Sequence, residues 1–116
     1  MGAVLELAGR LIGLRSVTPE DAGCQRLIEQ RLQPLGFEAE RFDRNGVSNV
    51  WLRRGRLDPL FVFVGHTDVV PPGPLNQWSS DPFVPQERDG FLYGRGSADM
   101  KSSIAAFVVA AEQFVR

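Results

Sequence analysis

The sequence predicts a single α/β domain. Three features carry that expectation: apolar stripes at helical spacing towards both ends, an Asn45-Gly46 hairpin signal, and an uninterrupted apolar run at the centre, Leu60-Phe61-Val62-Phe63-Val64. Helical periods on either side of strand periods are the pattern of helices laid on a sheet.

Taken in order, Val4, Leu7, Ala8, Leu11, Ile12 and Leu14 recur every three or four residues and define an amphipathic helix over 3–14. Thr18-Pro19-Glu20-Asp21 then combines a hydroxyl cap, a proline at the first helical position and two acids that suit the positive end of a helix. A second helix is expected over 19–34, with Cys24, Leu27, Ile28, Leu32 and Leu35 on its buried side and Gly36 as its left-handed terminator. Cys24 is read there as a core residue, not a reactive thiol. Asn45-Gly46 joins two antiparallel strands over 37–42 and 47–52. The run over 60–64 does not alternate, as expected of a strand covered on both faces, and is placed at the sheet centre. The prolines Pro71, Pro72, Pro74, Pro82 and Pro85 mark a stiff loop, followed by a short strand over 91–93. Ile104, Phe107, Val108, Ala111 and Val115 complete a last helical stripe.

Composition excludes several functions. The chain has 116 residues, with 13 Lys+Arg against 14 Asp+Glu and a net charge of −1. Without a basic cluster it lacks the electrostatic footprint of a nucleic-acid or anionic-membrane binder. The apolar run over 60–64 falls far short of the roughly 20 residues a membrane span needs. Cys24, the single cysteine, forms neither an internal disulfide nor a cysteine-rich zinc site. With no basic segment ahead of an apolar stretch at the N-terminus, a cytoplasmic protein is expected. The helix that runs to Phe114-Val115-Arg116 has no glycine or asparagine to end it, so the chain is expected to be the N-terminal part of a longer protein.

The chemistry concentrates in two clusters. Gly65-His66-Thr67-Asp68-Val69-Val70 follows the apolar run directly, at the carboxyl end of the expected central strand, where open α/β sheets bind ligands. Residues two apart on extended chain project the same way, so His66 and Asp68 face together. An imidazole beside a carboxylate serves a metal site, one group ligating and the other orienting it, or it is an ordinary polar strand end. The second cluster is Gly94-Arg95-Gly96-Ser97-Ala98-Asp99-Met100-Lys101-Ser102. A dinucleotide fingerprint would need glycine where Asp99 stands, and a phosphate loop would need it at Met100, so both phosphate readings fail. What remains is an acid delivered by a glycine turn to a helix start, as an N-cap or as a metal ligand. Between the clusters, Trp78-Ser79-Ser80-Asp81-Pro82-Phe83 either walls a cleft or packs its own loop.

Together these motifs resemble the co-catalytic di-zinc amidohydrolase and peptidase family. The matching stretches are 65–71, 78–83 and 89–101, and the likeness extends over essentially the whole chain. The resemblance implies that the chain is part of a mixed-sheet α/β/α zinc-peptidase-like catalytic domain, incomplete, corresponding to about the first third of such an enzyme. It implies that His66 ligates one zinc, that Asp99 bridges two zinc (or cobalt) ions, and that Asp68 is the catalytic-site acid that hydrogen-bonds the His66 ring. A cis peptide is implied at Asp99-Met100. The implied reaction is hydrolysis of a succinyl amide of a small amino acid in lysine and diaminopimelate biosynthesis, by a water that loses its proton between the two metals. Deacetylation of a related amino acid is the alternative, and a non-catalytic remnant that binds a metal or a partner is a third reading.

The proton-shuttling glutamate, a second histidine, the remaining ligands and a smaller dimerising lid domain are implied to lie outside these residues, with a homodimer as the assembled form. Ser102-Ser103 stand where the family pattern has glycine after Asp-Met-Lys, which leaves the metal assignment in place but shifts the helix start. On this reading the chain alone is inactive and holds zinc weakly, through at most three converging side chains.

Overall fold

A computed structural model describes residues 2–115. Met1 and Arg116, where the expected abrupt end of the chain falls, lie outside the described residues. Helix α1 spans Gly2–Ile12, α2 Cys24–Leu32 and α3 Ser102–Phe114, and the strands are β1 Glu38–Arg41, β2 Val50–Arg53, β3 Gln86–Arg88 and β4 Phe91–Tyr93. The strands form two separate two-stranded antiparallel sheets, β1 with β2 and β3 with β4. This mixture of helices and small antiparallel sheets is that of an incomplete α/β domain.

The three helices make the core. Leu7, Ala8 and Leu11 of α1 meet Cys24, Leu27 and Leu32 of α2 and Ile104, Ala105, Val108 and Val109 of α3. These are the stripes expected from helical spacing, and each fully buried leucine contributes about 1.5–3 kcal/mol of apolar burial. Arg31 locks α2 to α3 by donating from Nε and Nη2 to the two carboxylate oxygens of Glu112 at 3.0 and 2.9 Å. Such a two-pronged pair fixes orientation as well as distance.

The hairpin forms where expected. Asn45 and Gly46 both take positive φ, at 52° and 77°, as the tight hairpin turn requires, and Arg44 and Val47 exchange two backbone hydrogen bonds across it. Beyond it Arg41 pairs with Val50 and Glu38 with Arg53. A second hairpin joins β3 to β4 through Asp89 and Gly90, with φ of 53° and 82°. Only its second strand was expected. The Asp-Gly pair was the signal for the first.

Two expectations need correction. The second helix begins at Cys24, not at 19, because Ala22 and Gly23 adopt positive φ. Thr18 therefore does not cap it. The N-cap is Gly23, and Asp21, two residues ahead of it, accepts from the backbone N–H of Gln25 at 3.1 Å. The run over 60–64 is not the centre of a sheet. Among the described residues no strand pairs with it, and Phe61 and Val64 are 81% and 83% exposed. A continuous apolar run needs neighbours on both edges and cover on both faces to become a buried strand, and here Leu60, Val62 and Phe63 are only about half covered, Phe63 by stacking on Phe107 of α3 with ring centroids 4.5 Å apart.

Candidate metal centre

The apolar run leads directly into Gly65-His66-Thr67-Asp68. A parallel bridge between Val17 and Val69 holds this segment beside the linker that follows α1. The Thr18 N–H donates to the Val69 carbonyl and the Val69 N–H to the Ser16 carbonyl, both at 2.9 Å. Ser16 Oγ adds a bond to the Thr67 carbonyl at 2.7 Å. Thr67 points away from His66, as the two-residue period predicts, and its hydroxyl donates to Asp21 at 2.6 Å. The histidine-bearing segment is thus fixed by the chain's own hydrogen bonds.

The glycine cluster supplies the facing wall. The Arg95 N–H donates to the Pro82 carbonyl at 2.7 Å, and the Lys101 N–H to the Gly96 carbonyl at 2.8 Å, so the turn is pinned on both sides of Asp99. Gly96 has φ of 87°, and a Cβ there would lie 2.5 Å from Val69 Cγ1. Only glycine lets the turn approach the strand end this closely. Asp99 and Met100 are joined by a cis peptide and take non-helical dihedrals, and α3 starts at Ser102.

Asp99 does not cap α3. Its Oδ1 lies 3.0 Å from His66 Nε2, across a sequence separation of 33 residues. The acid that the glycine turn delivers thus faces the histidine and not the start of α3. His66, Asp68 and Asp99 all line one cleft of about 230 Å³, together with Thr18, Val69, Val70 and the 94–98 turn.

Hydrogen-bond chemistry fixes what this pair can do. His66 Nδ1 lies 3.0 Å from the Asp68 backbone carbonyl and 3.3 Å from its carboxylate Oδ1. Both are acceptors, so Nδ1 carries the proton and donates. In a neutral ring Nε2 then presents a lone pair, aimed at the acceptor oxygen of Asp99. Two acceptors at 3.0 Å require a cation between them or a proton on the ring. The same demand shows in the titration of His66: burial lowers its pKa, but the Asp68 carbonyl, the Asp99 hydrogen bond and the charges of Asp99 and Asp68 outweigh it and hold the imidazole above its ordinary value. The donor set, one imidazole and one carboxylate with a second carboxylate orienting the ring, fits a zinc-type ion. By themselves these residues make no complete metal site: among the described residues no group of three or more metal-ligating side chains converges.

Thr18 escaped sequence reasoning. Its hydroxyl donates to Asp68 Oδ2, the oxygen turned away from His66, and to the Val69 carbonyl at 3.2 Å. The partners are 50 residues apart, and no local pattern marks such a contact. Trp78 resolves towards loop packing. Its indole N–H donates to the Pro72 carbonyl at 2.9 Å, and it reaches the cleft only through Arg95, whose guanidinium carbon lies 5.1 Å from the ring centroid.

Residues 62–116 match peptidase family M20/M25/M40. That segment is 55 of the chain's 116 residues. The M20/M25/M40 match takes in His66, Asp68 and Asp99, the residues that meet in the cleft. The chain is also similar along nearly its whole length to curated proteins named succinyl-diaminopimelate desuccinylase. That of Bordetella pertussis is 67% identical over 113 residues, covering 97% of this chain and 30% of the relative. That of Dechloromonas aromatica is 65% identical over 111 residues, 96% of this chain and 29% of the relative. That of Thioalkalivibrio sulfidiphilus is 64% identical over 116 residues, 100% of this chain and 31% of the relative. The chain therefore spans about 30% of the length of the curated relatives it matches.

Proposed function

We propose that residues 1–116 are the N-terminal portion of the catalytic domain of a succinyl-diaminopimelate desuccinylase. The enzyme hydrolyses N-succinyl-LL-2,6-diaminopimelate to succinate and LL-2,6-diaminopimelate, in the biosynthesis of diaminopimelate and lysine. The observation that carries this reading is His66 Nε2 lying 3.0 Å from the Asp99 carboxylate within the M20/M25/M40 segment. The identity of 61–67% to desuccinylases supports the substrate.

His66 and Asp99 would hold the metal, zinc or cobalt, with Asp99 shared between two ions. When bound, such ions polarise the amide carbonyl and lower the pKa of water. Asp68 acts through His66: its backbone carbonyl and carboxylate hold the proton on Nδ1 and leave Nε2 free to ligate. Thr18 holds Asp68 in turn. No glutamate is among the residues lining the cleft, so the proton of the attacking water passes to a group supplied by the rest of the longer protein. That remainder also brings the other ligands and the dimerising lid domain, and the assembled enzyme is a cytoplasmic homodimer. No described helix is long and apolar enough to cross a membrane.

The test is to read the gene in frame beyond the Arg116 codon, express the whole protein, and follow succinate release from N-succinyl-LL-2,6-diaminopimelate with N-acetylornithine as the competing substrate. Metal-dependent release of succinate, abolished by His66→Ala and absent from the 116-residue chain alone, is expected. Preference for the acetyl substrate would move the enzyme to the deacetylases. Turnover by the metal-loaded chain alone would overturn the division of the site.

A further inference from the structure

Lys101 is the one buried charged side chain among the described residues, at 1% exposure. Its ammonium donates to the Leu11 carbonyl at 2.7 Å and to the Leu14 carbonyl at 2.9 Å. These belong to the last turn of α1 and the residues just past it, where the helix end is negative, and each carbonyl also accepts a backbone N–H, from Leu14 at 3.1 Å and from Ser16 at 2.8 Å respectively. The stem of Lys101 runs beside Gly96, with Cδ and Cγ 3.3 and 3.5 Å from where a Cβ would stand, and its backbone N–H closes the turn onto the Gly96 carbonyl. Buried as it is, the ammonium has those two carbonyls as its hydrogen-bond partners.

Asp99 sits two residues earlier and is the opposite case. Its side chain is 86% exposed, and His66 is the one side chain it bonds. Packing does not place this carboxylate. The backbone of the 94–101 turn does, and the firmest anchor on its C-terminal side is the Lys101 ammonium under α1. We propose that Lys101 is a positioning residue, holding the turn at the height that brings Asp99 against His66 Nε2. The inference rests on reading His66 and Asp99 as a cation-binding pair, and it adds that the end of α1 sets their spacing.

His66 is the single histidine, so its ring nitrogens give one unambiguous set of NMR signals. Lys101→Met fills the same space without the clamp. At one fixed pH below the ordinary imidazole value of about 6.5, the 15N and 1H signals of Nε2–H are compared in the parent chain, Lys101→Met and Asp99→Ala. The expected result is an Nε2 signal in Lys101→Met moved to its position in Asp99→Ala, with Nδ1, held by Asp68, unmoved. Zinc affinity, titrated on the same samples at a higher pH, is expected to fall about tenfold, the scale of supporting-group losses at metal sites.

A lysine that only stabilises helix packing would lower the urea midpoint and leave both ring nitrogens as in the parent, which would overturn the inference. If Lys101→Met does not fold, Lys101→Gln, which keeps a donor for one carbonyl, is read the same way. Parent-like His66 signals in the folded Gln variant, or collapse of both variants, equally overturn it. Should Asp99→Ala bind zinc as tightly as the parent, the cation-pair reading fails, while the Nε2 signal in Lys101→Met still decides the positioning role.

Discussion

At the scale of single residues, the site depends on which nitrogen of His66 carries the proton. Asp68 decides this twice, with its backbone carbonyl and with its carboxylate. Asp68→Asn keeps the carbonyl and the shape but removes the charge, so the tautomer survives while the ring becomes a poorer donor to a metal. Zinc affinity of the chain is expected to fall by about tenfold, towards the lower end for groups that support a ligating histidine. Proton and metal compete for Nε2, so in the parent chain binding tightens as pH rises through the elevated His66 pKa. In Asp68→Asn, which loses one of the charges that raise that pKa, the rise begins at lower pH. Zinc titrations of both proteins across neutral pH check both points, and equal affinities would remove Asp68 from the site. His66, Asp68 and Asp99, which share one cleft, each lie in a short motif that the sequence alone singles out. Thr18 does not, since its role exists only once the Val17–Val69 bridge has brought distant segments together.

At the scale of elements, the helices were legible as stripes, and their starts were not. Thr18-Pro19-Glu20-Asp21 has the composition of a helix N-terminus, but the hydroxyl it offers is taken by Asp68, and the acid by Gln25 and Thr67. A tertiary partner outweighed a local one, which propensity cannot foresee. Cys24, at the true start of α2, is fully buried beneath α1 and α3, and burial pushes its thiol pKa up from 9.0 while Lys101 pulls more weakly the other way. In the folded chain the thiol stays protonated where the unfolded chain has lost its proton. The folded state binds more protons there, so stability from this group is fully present below pH 9 and is lost as pH rises beyond it. Lys101, whose pKa is lowered, works in the opposite sense, gaining stability with rising pH up to 10.5. Comparing Cys24→Ala with the parent largely cancels the lysine contribution. The Ala variant is expected to be less stable at neutral pH by about 1 kcal/mol, the cost of a small cavity, and to lose less on going to alkaline pH. Urea midpoints at both pH values measure this, and parallel losses in the two proteins would show that Cys24 does not ionise on unfolding.

At the scale of the whole molecule, the sharpest difference between sequence and structure is the run over 60–64. Its pattern is that of a doubly covered strand, and the pattern is sound: five consecutive apolar, mostly β-branched or aromatic residues without a charge have no other good use in a folded protein. Cover is what they lack among the described residues, where Phe61, Phe63 and Val64 remain largely exposed. Pattern reports what a segment needs, and only the partners determine whether it is met. The chain spans about 30% of its relatives' length, and the run lies immediately before His66, so cover on the run would also stiffen the segment that carries His66. An uncharged strand-forming segment with free backbone donors and acceptors pairs with copies of itself. The 116-residue chain is therefore expected to self-associate in a concentration-dependent way. Phe61→Lys with Val64→Lys, both at highly exposed positions outside the helical core, should shift it towards monomer without loss of helix content. Sedimentation velocity and circular dichroism on the two proteins decide the matter. A parent chain that stays monomeric at high concentration would mean that the run is covered in solution, and that the strand end carrying His66 is already supported within this chain.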